Sequence, residues 1–511
     1  MDVILCVVCK YNPIEWIPEG ETSNHSPVSI SSGEDKIVLD EASKRNDEWD
    51  DFNHPRRRRA LILRELHRRS GYASLGSKHH ERKSASTSAT KIVFQTPTSA
   101  NTSEENNDGK NPLDLYRKVH SKGLIDFLST AWKEWDLLGC VGRDPSCVPF
   151  ASLLMEDSSS DDDNGHEKER RVPPLIPCNF SLPREAHNGR NDHPQRSSKN
   201  VMGQMGYYCT DTCTPIVSKL VEELTIDAST VSTAVDIAID QSRAGNNKTK
   251  NNAKSSAVVY ALCTHPGHHA ARDSFGGYCY VNNAALAARL LQERLSESLS
   301  ATDTTTPRVA VLDVDYHCGN GTASIFYNDP TVLVVSIHCH PDYEYPFHSG
   351  YGDEIGGSDA RGCTLHVPLL PGATWEKEYQ TALRDTAGKA IATFEPDALV
   401  LSLGLDTHID DPCATRRAGF RLTGRVRSSD ASIENSDSVE EKNNSGRDYD
   451  CMGRTVGELL SVCSSAGINY GEGTGMIPTI VLQEGGYEMT AVPSAAADVL
   501  LGMAEAMAGG N

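Results

Sequence analysis

Five short runs, at 258–263, 309–316, 332–338, 398–404 and 479–484, are rich in β-branched residues and nearly continuous in apolar ones. Stretches rich in Ala, Leu, Glu and Lys separate them, such as 283–297 and 375–394. Successive side chains of a strand point to opposite faces of its sheet, so a strand that is apolar at consecutive positions must be covered on both. Alternation of such strands with helical segments predicts an α/β fold, a three-layer parallel sheet between helices. The N-terminus, with an acid at Asp2, a short apolar run and no small-residue cleavage site, reads as one more strand and not a signal peptide.

The 511 residues give a first expectation of three or more domains at about 150 residues each. Polar residues, however, are concentrated at 19–54, 71–111, 155–200 and 425–447, which cannot build a core. We therefore expect a single domain over 1–511 interrupted by flexible insertions. A formal net charge of −21 argues against a partner that presents phosphates and suits a cationic one. No run of 18 apolar residues is present, which excludes a helical membrane span. The 15 cysteines are scattered without repeated spacing, as thiols of an intracellular protein in cytoplasm or nucleus would be, and Cys6 and Cys9 lack a second pair to complete a zinc ribbon. The run Arg56, Arg57, Arg58, Arg59 leads into an apolar-periodic stretch and reads as the charged start of an amphipathic helix, with a nuclear localisation signal as the alternative.

In a parallel sheet ligands sit beyond the carboxyl ends of the strands, and polar residues do gather there. One strand leads to His265, Pro266, Gly267, His268 and His269; the next runs into Asp313, Asp315 and His317 before a glycine-rich turn; two others end at Asp406 and at Glu484, Gly485, Gly486 and Tyr487. In an extended strand Asp313, Asp315 and His317 would share one face. Asp315 and His317 with Asp406 make a set of two carboxylates and one imidazole, which leaves an open position as catalytic metal sites do. Helix capping would account for one Asp but not for the D-x-D-x-H pattern. Two carboxylates neutralise a divalent ion, so its water is less acidified and an external base is required. The tandem His268 and His269 are candidates for it.

Pro-Gly-His-His-Ala, Gly-Gly-Tyr-Cys-Tyr-Val-Asn-Asn, Leu-Asp-Val-Asp-Tyr-His-Cys-Gly-Asn-Gly-Thr, Ser-Leu-Gly-Leu-Asp-Thr and Glu-Gly-Gly-Tyr occur in this order. Together they resemble the histone deacetylase superfamily, with the nearest likeness to its acetylpolyamine amidohydrolase branch. The resemblance implies an arginase/deacetylase-type fold and zinc-dependent hydrolysis of N-acetyl amides, either of lysine side chains in proteins such as histones or of small acetylated polyamines. It implies Asp315, His317 and Asp406 as Zn2+ ligands and His268 and His269 as paired acid and base, with Asp313 behind the first and Asn320 behind the second. It further implies Tyr487 as an oxyanion donor. A structural K+ would sit at Asp313 with backbone carbonyls near Ser336 and Ile337. Tyr278 and Tyr345 would flank the acyl-amine tunnel, and the Gly277 carbonyl would face the scissile amide N–H. Membrane and direct nucleic-acid contacts are not expected, and a homodimer is left open.

The sequence departs from the family pattern at Cys318, where a second His is common, and around 203–214, where Met202 and Cys213 stand in place of acids that would meet a polyamine. Asp211 is the one acid nearby, and an ammonium buried without an anionic partner is costly. Two other readings remain: a non-catalytic acetyl-lysine-binding relative, and an arginase-like hydrolase, which would need an Asp-x-Asp pattern that Asp406-Thr407-His408 lacks.

Overall fold

The computed structural model describes residues 2–9, 55–69, 91–97, 111–138, 174–180, 197–244, 255–297, 305–412, 419–424, 447–466 and 476–509. Its strands are β1 (Asp2–Val8), β2 (Lys91–Gln95), β3 (Ser255–Ala261), β4 (Val309–Asp313), β5 (Val332–Cys339), β6 (Thr364–Leu369), β7 (Ala398–Leu403) and β8 (Thr479–Gln483). They form one sheet in the order β2-β1-β3-β8-β7-β4-β5-β6, and every pairing is parallel.

The continuous apolar runs divide residue by residue between two cores. Val259, Ala261, Val309, Val311, Val400 and Leu482 pack with helices Lys122–Leu137, Leu220–Ala244 and Asn283–Ser296 on one face. Val258, Tyr260, Ala310, Leu312, Leu401 and Val481 pack with helices Pro55–Arg69, Asp448–Ala466 and Val492–Gly509 on the other. The period of two along each strand is thus what produces three layers. Among the described residues no helix is long and apolar enough to cross a membrane.

Three sequence expectations are corrected. The stretch 71–111, read as an insertion, contains β2, whose Ile92, Val93 and Phe94 add an edge strand to β1; five apolar-rich residues were masked by the polar composition around them. Within 155–200, Leu175 is buried and exchanges backbone hydrogen bonds with Ile216, and Asn200 caps helix Val201–Tyr208. The segment 375–394 is not one regular helix: wide π-type turns at Trp375–Tyr379 and Ala382–Ala387 precede helix Gly388–Phe394. The stretch 19–54 and all of 425–447 except Arg447 lie outside the described residues.

The arginine run does begin a helix, but Arg58 and Arg59 are buried. Arg58 donates to the Gly486 carbonyl at 3.2 Å and Arg59 to the Thr264 hydroxyl at 2.6 Å. Two of the four guanidinium groups are therefore committed to the loops after β8 and β3.

Candidate active site

The loops that follow β3, β8, β7 and β4 carry the titratable residues, and these four strands are neighbours in the sheet. Residues far apart in the chain consequently meet at one carboxyl edge. β4 ends at Asp313, so Asp315 and His317 are brought together by a turn and not by an extended strand. The Asp315 and His317 N–H groups donate to Asp313 Oδ1 (3.0 Å) and Asp315 Oδ1 (2.9 Å), and that folds the segment back on itself. His317 Nδ1 lies 3.2 Å from Asp315 Oδ1 and 2.9 Å from Asp406 Oδ2. The three residues form one of the side-chain groups able to hold a metal ion.

Both carboxylates are fully buried, and each accepts a further hydrogen bond from the backbone of a distant segment. Asp315 Oδ2 accepts from Gly485 N at 2.8 Å, and Asp406 Oδ1 accepts from Tyr316 N at 3.0 Å. Glycine is required beside them: a Cβ on Gly404 would lie 2.1 Å from Asp315 Oδ2, and one on Gly485 would lie 2.5 Å from Asp406 Oδ2. Burial and then the nearby Asp315 push Asp406 up to about 7. For Asp315 burial acts in the same upward direction, but the charges of His268 and His317 and the His317 hydrogen bonds outweigh it and hold the acid below the ordinary carboxylate range.

His268 and His269 lie side by side with ring centroids 4.0 Å apart and their planes tilted by 42°. His268 Nδ1 is 2.9 Å from Asp313 Oδ2, and His269 Nδ1 is 2.7 Å from Asn320 Oδ1. A carboxylate behind one ring and an amide behind the other make the pair electrostatically unequal. Burial would strip the proton from His268, but Asp313 and Asp315 overcome it and push the ring up to about 10. Burial, then the charges of His268 and His317, push His269 well below its ordinary value. Divergent affinities in adjacent titratable groups are what an acid and a base require.

The tyrosines and Gly277 border this cluster. The Tyr345 ring stands 4.8 Å from His269, nearly perpendicular, and Tyr278 lies 5.9 Å from Tyr487. Gly277 and Tyr278 both have positive φ (58° and 64°). A Cβ on Gly277 would come within 2.3 Å of the His269 ring, so only glycine lets this loop close over the histidine. Asp211 holds the loop: its Oδ2 accepts from Gly277 N at 2.5 Å, and its Oδ1 accepts from Cys213 N at 2.7 Å and the Thr214 hydroxyl at 3.0 Å. Ser336 pairs with Asp313 across β4 and β5 and accepts from Gly319 N at 3.3 Å.

Sequence reasoning missed two residues. Glu484 is fully buried and accepts from Gly267 N (2.6 Å), His268 N (3.2 Å) and the Ser402 hydroxyl (3.1 Å), which clamps the histidine loop to β7 and β8. Burial pushes it up to about 7. Asp411 accepts the N–H groups of Tyr487 and Glu488. The available signal was an acid beside each motif with no task of its own.

Residues 79–428 match the family described as Histone deacetylase domain. Acetylpolyamine amidohydrolase 2 of Pseudomonas aeruginosa is 31% identical over 393 residues, 76% of this chain and 82% of the relative. Acetylpolyamine amidohydrolase of Mycoplana ramosa is 30% identical over 392 residues, 77% and 84% of the two chains. Histone deacetylase 8 of Arabidopsis thaliana is 37% identical over 174 residues, 33% of this chain and 44% of the relative. The crystal structure of acetylpolyamine aminohydrolase from Burkholderia pseudomallei shares the fold, with a TM-score of 0.56 and 22% identity, over 98% of this chain and 99% of that one. The class that fold and relatives define is that of amide hydrolases built on a parallel sheet. Within that class, the chain belongs to the histone deacetylase family.

Proposed function

We propose that the chain is a zinc-dependent deacetylase that hydrolyses N-acetyl amides of primary amines, acetyl-lysine side chains on proteins such as histones and small acetylated polyamines being the two substrate classes. The observation that carries this reading is the meeting of the Asp315, His317 and Asp406 cluster with the Asp313-backed His268 and the Asn320-backed His269 at four adjacent strand ends.

The cluster fits zinc. Its donors are two carboxylates and an imidazole, glycines 404 and 485 leave the space around them, and among the described residues no lysine or arginine is paired with either acid. When bound, zinc polarises the acetyl carbonyl and acidifies water. The chain's own residues supply the rest. Nδ1 of each histidine is fixed from behind, which leaves Nε2 to exchange protons, one ring taking the proton of the attacking water and the other delivering one to the leaving amine. Tyr487 donates a hydrogen bond to the oxyanion as the carbonyl becomes tetrahedral. Tyr278 and Tyr345 flank the substrate chain, and the Gly277 carbonyl accepts the scissile N–H. Asp313, with the backbone carbonyls at Ser336 and Ile337, is the place for a monovalent cation, potassium by likeness to the family.

Acetyl-lysine is favoured as an accepted substrate because the acids near the tunnel have work elsewhere. Asp211 holds the 277–278 loop, and Asp342 accepts from the Tyr351 hydroxyl at 2.8 Å. Met202 packs on the core and Cys213 is uncharged. A dedicated polyamine enzyme is the second reading, favoured by the relatives that align over three quarters of the chain. Parallel assays of an acetyl-lysine peptide, acetylputrescine and acetylspermidine decide. We expect kcat/KM for acetylputrescine to be within about tenfold of the peptide, or roughly 1.4 kcal/mol of transition-state binding. Inert peptides beside rapid acetylpolyamine turnover would establish the second reading, and binding of all three without acetate release would identify a non-catalytic relative.

A further inference from the structure

Immediately after His317 the chain places a thiol, and two imidazoles reach it, one from near the end of β5 and one from within β6. Cys318, His338 and His366 are all buried, and their ligand atoms lie within 4.8 Å of one another. None of them belongs to the carboxylate cluster. Cys318 Sγ is 3.6 Å from His366 Nδ1. With Zn–S near 2.3 Å and Zn–N near 2.0–2.1 Å, two donors on one tetrahedral ion stand about 3.6 Å apart, so this edge already has the length a shared ion would give it.

The surroundings are those of a ligand set. An imidazole that binds a metal through one nitrogen usually gives its other N–H to a fixed partner. His338 Nδ1 is 2.8 Å from Ser336 Oγ, within hydrogen-bond reach, whereas His366 Nε2 stands 3.8 Å from Glu354 Oε2, an ion-pair distance and not a hydrogen bond. His338 Nε2 lies 2.9 Å from the Gly350 carbonyl. The Ser336 hydroxyl can accept as well as donate, so turning Nδ1–H toward it frees the Nε2 lone pair, and the hydrogen bond to the Gly350 carbonyl gives way when a metal takes that lone pair. Gly350 has φ of +104°, and a Cβ there would lie 2.7 Å from His338 Nε2 and 2.9 Å from Cys318 Sγ. A cavity of about 340 Å³ lined by His366, Glu354, Asn320 and Tyr327 borders the cluster on the His366 side.

We propose that Cys318, His338 and His366 form a second metal site, for a divalent ion of zinc's preference for thiolate and imidazole. It ties the turn that carries Asp315 and His317 to β5 and β6. The proposal stands apart from the catalytic reading, because the two clusters share no ligand.

Cobalt(II) titration of the full-length, metal-stripped chain tests it. The carboxylate cluster contains no sulfur, so a thiolate-to-cobalt charge-transfer band excludes it as the source, and loss of the band in Cys318→Ser assigns it to this thiol and not to Cys279 of the His268, Cys279 and Glu484 group. We expect two equivalents bound and the band present in the wild type. Cys318→Ser and His366→Ala should each bind one equivalent and lose the band, with far-UV circular dichroism confirming the fold. Asp406→Ala should bind one equivalent and keep it. A wild-type chain that binds cobalt without the band, or a band unchanged in both Cys318→Ser and His366→Ala, would overturn the proposal. A band retained when the wild type takes up only one equivalent would instead count against the catalytic metal and leave this site standing.

Discussion

Asp411 Oδ2 accepts the backbone N–H of Tyr487 at 2.6 Å, and the N–H of Glu488 at 3.0 Å. One buried carboxylate beyond β7 thereby sets the backbone from which the Tyr487 phenol projects. Asp411→Ala leaves two N–H groups without this acceptor, at a cost of about 1–3 kcal/mol for a buried donor. It should lower kcat about tenfold or more with little change in KM, while Asp411→Asn, which retains one carbonyl acceptor, should be milder on both counts. Steady-state kinetics beside thermal melts would check this; a loss of stability with kcat intact would make Asp411 purely structural.

Tyr487 itself acts only as the oxyanion forms. Tyr487→Phe should depress kcat by about 10²-fold or more and leave substrate affinity near the wild-type value, as removal of one oxyanion donor does. An unchanged kcat would return Tyr487 to the role of a ring packed on Tyr278.

Asp406 supplies one carboxylate of the proposed zinc site and also accepts from Tyr316 N. Asp406→Ala should abolish turnover and remove one equivalent of metal as read by elemental analysis, with the circular dichroism spectrum retained. Full activity in that variant, or in a metal-stripped preparation, would refute the ligand assignment.

Deletion of residues 427–445 should leave fold and activity in place. The flanks are already joined: Thr423 N donates to Asp448 Oδ2 at 2.8 Å, and Asp448 N donates to the Thr423 carbonyl at 3.2 Å. A short connection can therefore replace the polar segment, whose ordering entropy little apolar surface could offset. Loss of soluble expression or of metal content on deletion would show that the segment is structural.

The layered parallel sheet was legible in the sequence because its cause is local. Runs such as Val309 to Leu312 are apolar at every position, and a backbone that alternates side chains between faces turns that directly into two cores. The residues proposed for the chemistry were legible for a related reason: His268, Asp313, Asp315, Asp406 and Tyr487 all lie just past such runs, where parallel sheets place ligands. Local composition also misled. β2 was hidden because five residues cannot outweigh the polar stretch around them, and an edge strand requires a partner, β1, to exist at all. Only the tertiary structure decided which side chains would position others. Glu484 reaches Gly267 across 217 positions, Asp411 reaches Tyr487 across 76, and Arg58 reaches the Gly486 carbonyl across 428. Those contacts are hydrogen bonds to backbone groups, which every residue offers alike, so no residue type or spacing announces them. They arise when the order β3-β8-β7-β4 sets four strand ends side by side and each buried polar group must find a partner there.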